Sequence, residues 1–338
     1  MKPLKYLFIS SMLFVATSCG NSWLDLEPST SVDTETSIKI LSDVEFTLNG
    51  IYSTMQSSDA YSGRLVYYGD VTGDDMQAVS STKRVANYYR FNFTKDDNPS
   101  SHWSYLYSII QNCNLILMNI DKLVIDEDDK AYRDDLKGEA LAIRGLALFD
   151  LTRIFGYPYL KDDGASLGVP IIEGLSTIDS KPTRNTVAQC YTKIIDDLTQ
   201  SLSLLGEKFN KGKINKWGAM VLLSRVYLYK GENANALKMA SDAITGAEKN
   251  KYALWTNEDY PTAWGEDASA SKPGEVLFEI VNLTTDSPGK ESMGYLNSYD
   301  GYDDMCITCS FYQFLKEDPK DIRLKLLSFD KKSQKDAT

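Results

Sequence analysis

The sequence predicts a protein dominated by α-helices, in which pairs of helices pack side by side and long loop insertions and a few short strands complete the fold. Three observations carry this prediction. Apolar residues recur at helical spacing in several long stretches, capping motifs precede two of them, and strand-like alternation is confined to one short run. The chain has 338 residues, of which 43% are hydrophobic and 25% are charged. These values are typical of a globular protein with a substantial buried core.

The first predicted helix pair spans about residues 43–121. In LSDVEFTLNGIYSTMQ, Ser42 and Glu45 have the spacing of a capping box, and the apolar residues fall on one helical face. Residues 57–100 follow as a long, tyrosine-rich connection with few helical signals. The partner helix, HWSYLYSIIQNCNLILMNI, has an apolar stripe made of Trp103, Tyr107, Ile110 and Leu117.

The second predicted pair spans about residues 131–205. KGEALAIRGLALFDLTRIFGYPYL is apolar around nearly its whole circumference, which is typical of a helix packed between other helices or inside a membrane. Its two arginines exclude the membrane. We expect Arg144 to pair with an acid on a neighbouring helix, because an unpaired buried charge costs several kcal/mol. Thr186 and Gln189 form the capping box of the partner helix.

The third predicted pair spans about residues 214–248. INKWGAMVLLSRVYLYKG leads into ENANALKMASDAITGA across a turn at Gly231, and Ala236, Ala240 and Ala243 take positions between the helices. This pattern resembles a tetratricopeptide repeat (TPR), a helix hairpin of about 34 residues. The resemblance implies TPR-like helix pairs in a right-handed superhelical scaffold, with insertions that a plain solenoid lacks.

The region 250–310 departs from the helical pattern and is predicted to consist of loops with one strand. EVLFEIVNL alternates and is β-branched enough for a short strand, whereas GYLNSYDGYDDM is loop. Cys306 and Cys309 form a lone C-x-x-C, which is a poor zinc site and leaves a local disulfide and two free thiols equally open. Cys113 and Cys190 fall within helical patterns, so we expect packed thiols.

Charge and composition exclude several functions. The net charge of −11 argues against binding to nucleic acid or to an anionic lipid surface, because both require clusters of lysine and arginine. His102 is the only histidine, so a histidine-rich metal site is excluded, and we expect no metal or other cofactor. Adjacent acids such as Asp303 and Asp304 point apart and cannot flank one glycosidic bond, although acids distant in sequence could still pair.

The first 18 residues have the layout of a secretory signal peptide. Two lysines open MKPLKYLFISSMLFVATSCGN, and the apolar stretch after them is too short to span a bilayer. Small residues then lead to Cys19, whose position resembles that of the acylated cysteine of bacterial lipoproteins. Acylation there would anchor the leader, residues 19–40, stably to a membrane. An ordinary signal peptide with a coincidental cysteine is the alternative.

The motifs, taken in order, resemble the SusD/RagB family of outer-membrane nutrient-binding lipoproteins. WLDLEPST follows the lipoprotein cysteine, and the family's A-x-x-x-R-A block appears at Ala140 and Arg144. GVPI, R-x-T-V and EVLFEI follow in the family's order. The family's helix motif W-x-x-Y-x-x-I…N is represented, with its tyrosine one position off the usual spacing, by Trp103, Tyr107, Ile110 and Asn114. Family members are usually longer, so we expect residues 41–338 to lack the C-terminal part of the family fold.

The resemblance implies a non-catalytic lipoprotein at the outer membrane that faces the cell exterior and is held there only by its lipid. Such proteins sit on a TonB-dependent transporter barrel of the SusC type, capture oligosaccharides and pass them to the barrel. A member that binds peptides, a TPR-type scaffold whose only ligand is a protein, and a glycoside hydrolase are the alternatives. No nucleic acid partner is expected.

Two tyrosine-rich loops are the candidate ligand site, because aromatic rings with polar neighbours fit the apolar faces and hydroxyl rims of sugars. The first loop, GRLVYYGDVTGDDMQAVSSTKRVANYYRFNF, contributes Tyr67, Tyr68, Asp70, Asp75, Tyr88 and Tyr89, with Arg64, Arg84 and Asn92 as further polar candidates. The second loop contributes Tyr295, Asn297, Tyr299 and Tyr302. Trp103, by contrast, begins a core-facing stripe, and we interpret it as structural.

Overall fold

The fold is built on a row of α-helices, in which each long helix packs against the next one along the chain. The computed structural model describes residues 37–94, 100–177, 179–210, 212–264, 274–283 and 285–327, so the predicted signal peptide and Cys19 lie outside it. In these ranges the helices are α1 Leu41–Met55, α2 Arg64–Val71, α3 Ala86–Tyr89, α4 Ser100–Asn119, α5 Lys130–Phe155, α6 Val187–Leu204, α7 Lys216–Lys230, α8 Asn233–Lys249, α9 Tyr260–Ala263, α10 Met293–Asn297 and α11 Cys309–Lys316. The strands are β1 Met76–Ala78 and β2 Met305–Ile307. Helices α1, α4, α5, α6, α7 and α8 pack consecutively, which confirms the predicted helix-dominated class.

Helix α5 lies between α4 and α6 and is buried on every side along its central turns. Residues 138–152 are all buried, as the apolar circumference of the sequence predicts. Two glycines let α6 come close. An added Cβ at Gly138 would lie 2.9 Å from Cγ of Leu205, and one at Gly145 would lie 3.0 Å from Cγ of Leu198. The small residues of this stretch therefore serve helix-to-helix contact.

The connection from α5 to α6 is closed by polar side chains. Arg184 donates to the carbonyl oxygen of Phe155 at 2.7 Å. This oxygen lies in the last turn of α5, where carbonyl groups have no hydrogen-bond partner within the helix. The capping box predicted for α6 is confirmed. The Thr186 N–H donates to Oε1 of Gln189 at 2.9 Å, and the Gln189 N–H donates to Oγ1 of Thr186 at 3.2 Å.

A buried charge network connects α4, α5 and α6. Arg144 donates to the two carboxylate oxygens of Asp197 at 2.7 and 2.8 Å and to Oδ1 of Asn114 at 2.8 Å. Lys193 lies 3.2 Å from the same carboxylate. Asn114 in turn donates to the carbonyl oxygen of Ile172 at 2.8 Å, in the loop directly after GVPI. The predicted pairing of Arg144 is confirmed, and the network ties three helices and one loop together.

Helices α7 and α8 form the hairpin that the TPR-like pattern predicts. Gly231 ends α7 with φ of 83°, in the left-handed region that favours glycine. Ala236 and Ala243 are buried, as expected for positions between the helices. Trp217 packs directly on Gly246, where an added Cβ would be 2.0 Å from the indole ring.

Replacing Gly246 by alanine is expected to destabilise the protein by about 1–3 kcal/mol, because the new methyl group overlaps the Trp217 ring. Gly50 in α1 is the matched control, since it is exposed and an added Cβ meets nothing within 4 Å in the described part of the chain. Gly50→Ala should stabilise the protein by about 0.5–1 kcal/mol through helix propensity. Urea unfolding measures both changes. Stabilisation by Gly246→Ala would contradict this packing.

The start of α1 differs from the predicted capping box. The helix begins one residue before Ser42, and the N–H of Ile40 donates to Oδ2 of Asp43 at 3.1 Å. Glu45 is occupied elsewhere, because its Oε2 accepts from the hydroxyl of Tyr132 at 2.8 Å. The predicted box was wrong because Asp43, rather than Glu45, accepts from the backbone N–H that precedes the helix.

The buried face of α4 is rotated slightly from the predicted stripe. Trp103 and Tyr107 are half-buried and pack against each other with ring centroids 4.9 Å apart. Trp103 also meets the ring of Phe155 edge-on at 5.0 Å, so its predicted structural role agrees with its contacts. The fully buried side of the helix is formed by Leu106, Ile109, Ile110, Cys113 and Ile116.

The strand predicted for EVLFEIVNL is not present. Within the described ranges, residues 275–283 make only an isolated bridge, between Leu283 and Asp286. The segment is held by side chains instead. Phe278 packs against the ring of Tyr52 at 6.4 Å, next to the Cβ position of Gly218. The alternating apolar residues of EVLFEIVNL therefore pack against helices and do not belong to a strand of a sheet.

The cysteines occupy two kinds of environment. Cys113 and Cys190 are buried, as predicted, and burial raises the pKa of Cys113 to about 12. Cys306 lies on β2 and Cys309 opens α11, and both are free thiols. Of the two alternatives for this C-x-x-C, the structure has the free thiols.

Candidate functional site

Two insertions in the helical row fold together into one small body, the insertion unit, made of residues 57–94 and 289–308. Strands β1 and β2 pair antiparallel and place Gln77 opposite Cys306, 229 residues further along the chain. The two loops predicted to hold a ligand are therefore neighbours in space. Both segments contribute to a small apolar core, formed by Tyr67, Val71, Val85, Tyr88, Leu296 and Met305.

The structure corrects the prediction that residues 57–100 are mainly loop. Helices α2 and α3 and strand β1 lie in this region. Helix α2 is only eight residues long and buries two of them, Tyr67 and Val71, against the insertion core. Such short elements leave little periodicity in the sequence, because their burial depends on a segment far along the chain.

Arg84 joins the two segments of the insertion unit. Its Nε donates to Oδ2 of Asp304 at 2.9 Å, and its Nη1 donates to the carboxylate of Glu291 at 3.0 and 3.1 Å. The guanidinium carbon lies 4.1 Å from the ring centroid of Tyr302. Lys83 donates to the carbonyl oxygen of Tyr302 at 2.6 Å. Tyr302 is thus held through both its ring and its backbone.

The predicted ligand tyrosines divide into exposed and buried ones. Tyr299 is 52% exposed, Tyr302 39% and Tyr89 38%. Tyr67 and Tyr88 are buried in the insertion core, and burial raises the pKa of Tyr67 to about 12. These two rings present no face to a ligand, so we leave them out of the proposed binding surface.

Of three further predicted residues, Tyr68 and Asp70 lie on α2 and Asp75 lies between α2 and β1. Tyr68 is half-buried and meets Tyr88 edge-on at 5.4 Å and His102 at 5.8 Å. Asp70 and Asp75 are exposed. Partial burial, and then the charge of Asp75, raise the pKa of Asp70 above its usual value.

Of the remaining predicted residues, Tyr295 contacts an exposed ring, whereas Asn297 and Arg64 do not among the described residues. Tyr295 is half-buried and meets Tyr302 edge-on at 5.2 Å. Oδ1 of Asn297 is buried and has no hydrogen-bond partner in the part of the chain that the structure describes. Arg64 forms an ion pair of 2.7 Å with Asp59, so its charge is compensated inside the insertion unit.

Two exposed aromatic residues of the insertion unit are absent from the predicted set. Phe91 is 64% exposed and Phe93 is 39% exposed, on either side of Asn92, and their rings lie 6.3 Å apart. The run NYYRFNF contains both phenylalanines, but tyrosines were the expected ligand residues because their tips are polar. No local signal indicated the partners of Arg84, because Glu291 is 207 residues away in sequence.

The single histidine and the acid doublet Asp303 and Asp304 contact other protein groups. Among the described residues, no cluster of three or more His, Cys, Asp or Glu side chains could hold a metal ion. Nδ1 of His102 lies 3.1 Å from the carbonyl oxygen of Asp59, and burial lowers the pKa of the imidazole. Asp303 and Asp304 both form ion pairs with neighbouring cations. None of the described helices is long and apolar enough to cross a membrane.

The helices pack in consecutive pairs, and two insertions between them carry exposed aromatic rings beside ion pairs. These features define a class of protein, the helical-repeat proteins whose candidate site lies outside the repeats. The profile of the SusD-like family, described as starch-binding and associating with the outer membrane, matches residues 22–228. The chain belongs to this family, as its ordered motifs predicted.

Individual relatives agree with this assignment. A SusD-like protein from Formosa agariphila is 28% identical over 311 residues, which is 89% of this chain and 57% of the relative. The crystal structure of a candidate sugar-binding protein from Bacteroides vulgatus is 82% identical with a TM-score of 0.86, over 88% of this chain and 66% of that one. A laminarin-binding SusD-like protein shares the fold, at 20% identity and a TM-score of 0.69, over 89% of this chain and 68% of that one. The chain therefore spans between a half and two thirds of the length of the first two relatives.

Proposed function

We propose that this chain is a non-catalytic binding protein that captures oligosaccharides at the outer membrane and passes them to a TonB-dependent transporter barrel of the SusC type. The match of residues 22–228 to the SusD-like family carries the proposal. The 82% identity to a candidate sugar-binding protein supports a carbohydrate as the ligand. Acylation of Cys19 would anchor the protein to the outer membrane, where we propose that it faces the cell exterior.

The insertion unit offers a surface that suits sugar rings. Pyranose rings have apolar C–H faces and polar rims, so they bind where exposed aromatic faces stand beside hydrogen-bonding groups. The exposed carboxylates of Asp70, Asp75 and Asp300 can accept hydrogen bonds from sugar hydroxyls. The exposed rings of the same unit belong to Tyr89, Phe91, Phe93, Tyr299 and Tyr302.

Replacing Tyr299 by alanine is expected to weaken oligosaccharide binding about 5- to 30-fold, because one exposed aromatic face is worth roughly 1–2 kcal/mol of contact. Tyr157→Ala is the matched control, since Tyr157 is a similarly exposed tyrosine that follows α5, at 57% against 52%. Isothermal titration calorimetry measures both affinities. Unchanged binding by the Tyr299 variant, or an equal loss in both variants, would contradict the placement of the surface.

An array of glycans and peptides, probed with the full chain, tests the proposed function. We expect saturable binding to at least one oligosaccharide, which mass spectrometry should recover intact. Binding to peptides alone would favour a peptide-binding member of the family. Shortened sugars would contradict a non-catalytic role. Co-purification with a barrel but no affinity for small ligands would favour a protein-binding scaffold.

A further inference from the structure

The positive charge of Arg84 is compensated by carboxylates of the insertion unit itself. Asp304 is only 5% exposed, so its carboxylate needs a partner that compensates its charge. Arg84 is that partner, through Nε at 2.9 Å and Nη2 at 2.7 Å. Nη1 is taken by Glu291. One cation therefore faces two carboxylates, and little positive charge is left for an anionic ligand.

The same guanidinium orients an exposed ring. Arg84 stacks on Tyr302 at 4.1 Å, and Tyr295 meets that ring edge-on at 5.2 Å. Lys83 fixes the backbone of Tyr302 through its carbonyl oxygen. Tyr302 nevertheless remains 39% exposed. The ring is thus held by protein groups while part of it stays open to a ligand.

Acids outnumber bases among the free charges of the insertion unit. Asp300 is exposed directly beside Tyr299 and forms no ion pair with the described residues. Asp70, Asp74 and Asp75 are likewise exposed and, within the described ranges, outside any ion pair. Two exposed cations of the unit, Arg90 and Lys290, form no ion pair with the described residues. A carboxylated or sulfated sugar would meet net repulsion on this surface.

We propose that Arg84 is a positioning residue that fixes Tyr302, and that the surface selects uncharged oligosaccharides over anionic ones. This inference rests on the proposed function, since it concerns the same surface. Arg84 acts through the ring it holds and does not itself bind the ligand. Selectivity arises because the guanidinium beside the ring is neutralised by Asp304 and Glu291, whereas Asp300 stands free.

A double-mutant cycle tests the positioning role. The full chain and its Arg84→Met, Arg84→Lys, Tyr302→Ala and Arg84→Met/Tyr302→Ala variants are titrated with neutral glucan, xylan and mannan oligosaccharides. We expect each single variant to weaken binding about 5- to 30-fold, and the double variant to match Tyr302→Ala within about twofold. Lysine should not rescue binding, because it lacks the planar fork that meets Asp304 and stacks on the ring. Arg225→Met, at an exposed arginine on α7, is the control and should leave affinity unchanged.

A second arm tests the charge selectivity. Oligogalacturonates and sulfated oligosaccharides of the same lengths are compared with the neutral set at low salt. The wild-type chain should prefer the neutral set by at least about tenfold. Glu291→Gln should narrow that preference, because it leaves Arg84 with one carboxylate instead of two. Thermal unfolding of every variant, followed by circular dichroism, separates lost binding from lost fold.

The outcomes separate this inference from the proposed function. Three results support the inference. The affinity losses of the two single variants are not additive in the double variant, Arg84→Lys does not restore affinity, and the wild-type chain binds neutral oligosaccharides more tightly than anionic ones. Losses that multiply in the double variant, rescue by Arg84→Lys, or tighter binding of the anionic set would overturn it while leaving the proposed function intact. Failure of the folded wild-type chain to bind any sugar of either set would overturn both.

Discussion

Replacing Asp197 by alanine is expected to destabilise the protein by about 3–5 kcal/mol, because it leaves the buried Arg144 guanidinium without its carboxylate. Asp197 is fully buried and accepts from Nε and Nη2 of Arg144 at 2.8 and 2.7 Å. Lys193, 3.2 Å away, loses a partner as well. Asn114 alone cannot compensate a full charge. Chemical denaturation followed by circular dichroism gives the free energy of unfolding.

The neighbouring acid provides the control. Asp196 is 53% exposed in its side chain and lies 3.9 Å from Lys193, so its ion pair is weak. Asp196→Ala should therefore change the free energy of unfolding by at most about 0.5 kcal/mol. A loss below about 1 kcal/mol for Asp197→Ala would mean that the network between α4, α5 and α6 does not hold these helices together.

The stability of the protein is expected to fall between about pH 4.5 and pH 7 because of Glu139. This carboxyl is buried in α5 and accepts from the hydroxyl of Tyr52 at 2.7 Å. Burial raises its pKa from 4.5 to about 7, aided by the charges of Asp135 and Glu45 and opposed by the Tyr52 bond and Lys213. The folded protein thus keeps a proton that the unfolded chain has released. As the pH rises across this range, the free energy of unfolding falls by about 3 kcal/mol in total. Above this range it no longer changes because of Glu139.

Glu139→Gln isolates this contribution, because glutamine can still accept from Tyr52 and carries no titrating proton. The variant should match the wild type near pH 4.5 and be more stable by up to about 3 kcal/mol at pH 8. The same substitution at the exposed Glu258 controls for the general effect of removing one negative charge. A constant difference between Glu139→Gln and the wild type at all pH values would show that this carboxyl does not titrate with a raised pKa.

The helical scaffold could be predicted from the sequence because its signals are local. The apolar circumference of residues 138–152 follows from burial between two helices, and a buried arginine such as Arg144 demands an acid on a neighbour. The capping box at Thr186 works within one turn. Each of these features depends on residues a few positions apart or on a general rule about buried charge.

The candidate surface could be predicted only as two separate loops. The pairing of β1 with β2 and the contact of Arg84 with Asp304 join residues more than two hundred positions apart, so no periodicity reveals them. The same distance explains why Tyr67 looked like a ligand residue. Its burial depends on Leu296 and Met305, which belong to the other loop. Exposed phenylalanines were missed because composition does not show which aromatic rings face solvent.

The most direct test of the account is the site at which a sugar binds. The full chain should be crystallised with the oligosaccharide that gives the strongest array signal, and the Tyr299→Ala/Tyr302→Ala variant should be titrated with the same sugar. We expect an intact sugar against the exposed rings of the insertion unit and a large loss of affinity in the double variant. A sugar bound against the helical row with the insertion unit empty, or a hydrolysed sugar, would contradict the account.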